Sequence, residues 1–141
     1  MSQDASTVYE GRDLEAMAFA RTYPAWILDE LSGLTTGDVA EVGAGDGLFS
    51  RMLLAAGPRS LTLFEPSAQM HARQPEALRT DARVRRVNAR LGDRVDEYEA
   101  AFDGVLYINV LEHIPDDAAE LALVRRVLRP HGKVAIFVPA L

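Results

Sequence analysis

Cysteine is absent from the chain, which excludes disulfides, a thiolate nucleophile and Cys-ligated zinc or iron–sulfur centres. No other metal-ligand cluster stands out, so no metal is expected. Lysine occurs once, at Lys133, and tryptophan once, at Trp26. No apolar run reaches the ~18 residues that a bilayer-spanning helix needs, so no membrane partner is expected. The amino-terminal Met1–Ser6 stretch lacks the basic and apolar blocks of a cleaved secretory leader. A cytoplasmic location fits these absences. An excess of basic charge is missing too: 15 Lys and Arg face 21 Asp and Glu, for a net charge of −6. Nucleic-acid binders lean the other way, because phosphate neutralisation drives their affinity, so nucleic acid is an unlikely partner.

What remains is an ordinary globular composition, 48% apolar and 26% charged over 141 residues, enough for one domain. Residues 12–31 read as a helix with Leu14, Met17, Ala18, Arg21 and Ala25 on one face, interrupted at Pro24. Residues 1–37 form an amino-terminal helical segment, expected to pack on or cap a site in the 38–141 core. Met17, Phe19, Tyr23 and Trp26 have two readings, a lid over a ligand or an amphipathic face on the core. Packing suits Trp26, and Tyr23 is kept as a ligand contact.

From residue 38 on, short apolar strands alternate with helical stretches. Strands are expected at 39–42, 60–65, 84–87, 102–110 and 133–138. Helices are expected at 48–56, with Leu48, Met52, Leu53 and Ala56 as its buried face, from 66 toward 74, and from 115 to 128 along Leu121, Val124, Val127 and Leu128. Pro130-His131-Gly132 reads as a turn. Such alternation means an α/β fold, with a doubly wound, mostly parallel open sheet of Rossmann-like type covered on both faces. Ligands of such sheets bind at the carboxyl ends of the strands, near the point where the strand order reverses.

The first strand ends in Glu41-Val42-Gly43-Ala44-Gly45-Asp46-Gly47. Its glycines let backbone approach a ligand closely. The spacing is G-x-G-x-G, and Leu48 stands where the dinucleotide fingerprint needs glycine. A diphosphate would lie beside the Glu41 and Asp46 carboxylates with no Lys or Arg in the loop, a repulsion of about 1–4 kcal/mol at ~4 Å. A ligand with a cationic portion suits the loop better. Glu65 ends the second strand. It reads either as a solvated strand end or as a bidentate acceptor for a ribose diol, and the second reading fits its spacing from the glycines.

These segments resemble the class I S-adenosylmethionine-dependent methyltransferases. Glu41–Gly47 is similar to that family's first motif, and Leu63-Phe64-Glu65-Pro66-Ser67 to the acidic end of its second strand. Residues 102–114 resemble its fourth-strand signature. Leu128-Arg129-Pro130-His131-Gly132-Lys133 resembles its L-(K/R)-P-G-G turn, with His131 in place of a glycine. The resemblance implies S-adenosylmethionine as cofactor and methyl transfer to an acceptor, taken as a small molecule. It implies Gly43, Ala44, Gly45 and Gly47 along the methionine half, Glu41 near its ammonium group, and Glu65 with Pro66 at the ribose. Asn88, Ala89 and Arg90 would border the adenine. Asn109 and Val110 end the fourth strand, Asn109 offering a carbonyl or side chain to the ammonium. Met70 either covers the adenine or packs in the core. His113 is the one nominee for a catalytic base, with capping or packing before Pro115 as its other reading.

Two rivals to this function are a cofactor-binding or structural module without turnover and a nicotinamide-dependent oxidoreductase domain, the latter disfavoured by the loop's charge and spacing. Arg79, Arg83, Arg85, Arg86, Arg90 and Arg94 read either as an RNA-binding patch or as charges protecting a sheet edge, and the edge reading is preferred. Members of the resembling family carry seven strands. With five, the chain is expected to be a fragment rather than a reduced form, its Val134–Val138 strand an apolar edge open to self-association, which light scattering would read as a mass above that of one chain.

Overall fold

The computed structural model describes residues 25–138. Residues 25–30 are helical and belong to a unit of their own, while the chain from Leu31 onward forms a second compact unit. Met17, Phe19 and Tyr23 lie outside the described residues, and Trp26 is about half exposed.

The second unit is built on five strands: β1 (Asp38–Val42), β2 (Ser60–Phe64), β3 (Val84–Val87), β4 (Phe102–Ile108) and β5 (Leu128–Phe137). All pairings are parallel, in the order β3-β2-β1-β4-β5. The order reverses between β1 and β4, so the crevice at their carboxyl ends is the expected ligand position. The helices are α1 (Leu48–Ala55), α2 (Ala68–Arg73), α3 (Glu76–Thr80), α4 (Leu91–Arg94) and α5 (Asp117–Val127). No helix among the described residues is long and apolar enough to cross a membrane.

Side chains alternate across the strands. One face carries Ala40, Val42, Phe64, Val87, Val105 and Tyr107, packed with Leu91, Val95, Tyr98, Val124 and Val127. There Tyr98 meets Phe64 edge-on at 5.2 Å and stacks on Phe102 at 5.6 Å. The other face carries Val39, Leu61 and Leu63, all fully buried. Helix ends follow local chemistry. Ser67 Oγ accepts from the Met70 amide at 3.2 Å at the start of α2, and Asp116 accepts from the Ala119 amide at 3.0 Å at the start of α5.

Some expected details differ. The buried face of α1 is Phe49, Ser50, Leu53 and Leu54, with Leu48 exposed; Leu48 heads the helix beside the glycine loop, one residue ahead of the turn that meets the sheet. Leu121 on α5 is likewise exposed, whereas Val124 and Val127 are buried. The Pro130-His131-Gly132 turn lies inside β5 as a bulge: Leu128 pairs with Phe102, but Lys133 pairs with Gly104, and His131 takes φ 68°. Helices α3 and α4 were not legible; they are five and four residues long, too short to show a period, and each is anchored by one buried leucine, Leu78 or Leu91.

At the amino ends of the strands, Arg59 and Arg129 bridge Asp38 and Asp103. Arg59 reaches Asp38 Oδ2 at 2.6 Å, and Arg129 lies 2.7 Å from Asp38 and 3.0 Å from Asp103. The Arg59 hydrogen bond above all holds the Asp38 carboxyl well below the usual carboxylate range. This cluster ties β1, β4 and β5 together at the amino-terminal end of the sheet, away from the glycine loop. Both sheet edges match expectation in position. β3 carries Arg85 and Arg86, and Arg83 just before it pairs with Asp81 at 2.9 Å. β5 exposes Val134 and Ile136, followed by exposed Val138.

Candidate functional site

A cavity of about 450 Å³ opens over the carboxyl ends of the strands, a volume suited to a small ligand. Val42 and Gly43 form its wall at β1, Phe64, Glu65 and Pro66 at β2, and Ala89, Arg90 and Leu91 beyond β3. Val110, His113, Ile114 and Pro115 close it after β4, joined by Glu120 from the first turn of α5. Of the expected residues, the fold thus brings Gly43, Glu65, Pro66, Ala89, Arg90, Val110 and His113 around one space.

The glycine loop is left-handed at three points: Gly43 at φ 78°, Gly45 at φ 60° and Gly47 at φ 86°. At Gly43 a Cβ would lie 2.6 Å from a Val110 methyl, so only glycine lets β1 and β4 end this close together. At Gly47 it would lie 2.6 Å from Leu78 Cδ1. The Gly43 and Ala44 amides both donate to Phe64 O, at 2.8 and 3.0 Å, pinning the loop to β2.

Glu65 is 8% exposed. Its Oε1 accepts from the Gly45 amide at 2.8 Å and its Oε2 from the Ser67 amide at 2.7 Å. A carboxylate has about four lone-pair positions, so these bonds fix its direction and still leave acceptor capacity toward the cavity.

Glu41 lies behind the loop rather than on the cavity wall. Expected beside a ligand's ammonium, it is 2% exposed, and Ser50 Oγ from α1 donates to it. Strand alternation turns its side chain to the α1 face while Val42 faces the cavity. Burial pushes its carboxyl up to about 8, with the Ser50 bond opposing and the Glu65 charge adding. The group is therefore mostly neutral at pH 7, and the loop's negative character comes from Glu65 and the exposed Asp46. An acid whose folded pKa is raised costs stability as pH climbs from its unfolded value, about 4.5, to about 8. Glu41→Gln is accordingly expected to raise the Tm at pH 8 by several degrees, on the order of 1–2 kcal/mol, with little gain at pH 4. Calorimetric scans across that range check it, and a variant less stable than wild type at pH 8 would contradict the assignment.

Other expected residues lie near the cavity without lining it. Asn88 is exposed, and its Nδ2 donates to the carbonyls of Glu65 at 2.8 Å and Pro66 at 3.2 Å, which ties the ends of β2 and β3 together. Asn109 is exposed, at φ 56°, and its amide donates to Phe137 O at 2.7 Å. Met70 packs on the loop, its Cε 3.7 Å from where a Gly45 Cβ would be. Sequence reasoning missed Glu120, whose Oε1 accepts from Tyr107 OH at 2.7 Å, and the buried Gln74, whose Nε2 donates to Gly45 O at 2.9 Å. No local pattern marks either one, since both owe their place to tertiary packing.

A family model described as a methyltransferase domain matches residues 40–134, from β1 into β5. The ubiquinone biosynthesis O-methyltransferase of Erwinia tasmaniensis is 24% identical over 77% of this chain and 45% of its own length. The chain spans about half the length of the curated relatives it matches. Among solved structures, the DhpI-SAM-HEP complex aligns with a TM-score of 0.67 at 25% identity, over 96% of this chain and 64% of its own. Phospholethanolamine N-methyltransferase 2 of Haemonchus contortus, in complex with phosphomonomethylethanolamine and S-adenosylhomocysteine, aligns at 0.68 and 26% identity, over 82% and 27%. With a matched model covering more than half of its length and a five-stranded parallel sheet to match, this chain belongs to the methyltransferase domain family.

Proposed function

We propose that this domain binds S-adenosylmethionine in the cavity above β1 and β2 and serves methyl transfer to a small-molecule acceptor. The observation that carries the reading is Glu65: a carboxylate on the cavity wall, aimed by two backbone amides and left with free acceptor positions. The donor set fits this cofactor. Residues 43–48 contain no lysine or arginine to offset a diphosphate, whereas Glu65 suits a ribose diol and tolerates a nearby cation. When bound, the cofactor supplies an electrophilic methyl on a sulfonium, which an O, N, C or S nucleophile attacks in line.

The chain's own residues do the positioning. Gly43, Ala44, Gly45 and Gly47 present backbone where side chains would obstruct. Glu65 orients the ribose, and Pro66, Ala89 and Val110 give apolar walls that exclude water. Asn109, in its left-handed conformation at the end of β4, stands beside the β1–β4 crevice. His113 lines the cavity and is well exposed, with Nε2 3.5 Å from Glu112 Oε1. It is the group placed to take a proton from an acceptor. The acidic net charge and the names of the relatives both favour a small molecule.

Isothermal titration of the ligand-free chain with S-adenosylhomocysteine and with NADH tests the reading. Saturable binding of the first, tighter than any binding of the second, is expected. The reverse order would replace the methyltransferase reading with the oxidoreductase one.

A further inference from the structure

The glycine loop is fastened from outside as well as from β2. Gln74, the residue after α2, is 1% exposed. Its Nε2 donates to Gly45 O at 2.9 Å, and its Oε1 accepts from Arg86 Nε at 2.7 Å. Because guanidinium can only donate, Oε1 must face Arg86, which leaves the amide nitrogen for the Gly45 carbonyl. Arg86, on the edge strand β3, is itself fixed by donating from its second nitrogen to His71 O at 2.7 Å. The peptide groups on both sides of Gly45 are therefore held, its N–H by Glu65 and its C=O by Gln74. Gln74 Cγ, Pro75 and Leu78 also close on Gly47, so the 74–78 segment backs the loop from Gly45 to Gly47.

A loop of left-handed glycines has the most conformational freedom to lose when a ligand binds. Fixing it beforehand lowers that cost and raises affinity without any new ligand contact. We propose that Gln74, held by Arg86, is a positioning residue that pre-forms the glycine loop for its ligand. It touches no ligand, and its effect on affinity rests on the cofactor reading given above. It also explains why one arginine of the basic stretch turns inward: Arg86 orients Gln74.

The test uses Gln74→Glu, which keeps an oxygen for Arg86 but sets a second oxygen against the Gly45 carbonyl. Gln74→Leu and Arg86→Lys accompany it in case Gln74→Glu folds poorly. Two readouts are taken: amide hydrogen exchange at Gly45 and Gly47 without ligand, and the Kd of S-adenosylhomocysteine. Exchange at both glycines is expected to accelerate, and the Kd to rise about five- to tenfold, the size of one net hydrogen bond. Arg86→Lys should give a smaller rise. Val127→Ala, a core truncation near the start of β5, should lower the Tm yet leave loop exchange at the wild-type rate. Wild-type exchange and wild-type Kd in both Gln74 variants would overturn the proposal. Should the wild-type chain bind no S-adenosylhomocysteine, the cofactor reading fails, while loop exchange in the ligand-free variants still decides the role of Gln74.

Discussion

Replacing Glu65 by alanine is expected to weaken S-adenosylhomocysteine binding by about 2–3 kcal/mol, roughly 30- to 150-fold. The size follows from the two tasks of this carboxylate. It offers the charged acceptor positions on the β2 side of the cavity, and hydrogen bonds to charged groups are worth about 1.5–3 kcal/mol. It also holds the Gly45 and Ser67 amides at 2.8 and 2.7 Å, so its loss frees the glycine loop and the entry to α2 together. Glu65→Gln separates these tasks. Its amide keeps one oxygen but presents N–H where the carboxylate accepted, so it should bind more weakly than wild type and better than alanine. Calorimetric titration of the three proteins ranks them. Equal affinity of wild type and Glu65→Ala would mean that the cavity serves another ligand, or that the ligand lies away from β2.

The parts of this protein that could be read in advance are those encoded by neighbours in sequence. Glycines after an apolar strand and an acidic residue ending the next strand are marked by the strands they follow, and the fold keeps them at the carboxyl ends of β1 and β2, although the Gly45–Glu65 bond itself spans 20 residues. The edge positions of β3 and β5 followed as well, whereas the full order β3-β2-β1-β4-β5 is set by the long-range pairings of the folded sheet. Errors arose where a choice depends on what faces a residue. Glu41 looked like a loop carboxylate because it sits two residues before Gly43, yet period-two alternation points it at Ser50. Leu48 looked like the core side of α1, but the sheet meets that helix through Phe49 and Leu53. Gln74 and Glu120 gave no signal, since their partners Gly45 and Tyr107 are 29 and 13 residues away and become neighbours only after folding.

The second large effect is expected at the point where the strand order reverses. Gly43→Ala places a Cβ 2.6 and 2.8 Å from the two Val110 methyls, too close for either to stay in place. It also forces an L-residue to φ 78°. The backbone cost is about 1–2 kcal/mol and the overpacking cost about 1–3 kcal/mol. Together they should lower unfolding stability by about 3 kcal/mol, read as a fall in the urea midpoint at unchanged slope. The two costs can be told apart. Val110→Ala in the Gly43→Ala background removes the methyls that clash but leaves the backbone strain, so it should recover the packing part while a deficit of about 1–2 kcal/mol remains. If the double variant falls further instead, Val110 is a core side chain the fold needs rather than the wall that sets how closely β1 and β4 may end. Recovery would locate the demand for glycine in the crevice itself, where the width between Gly43 and Val110 sets the space for a ligand.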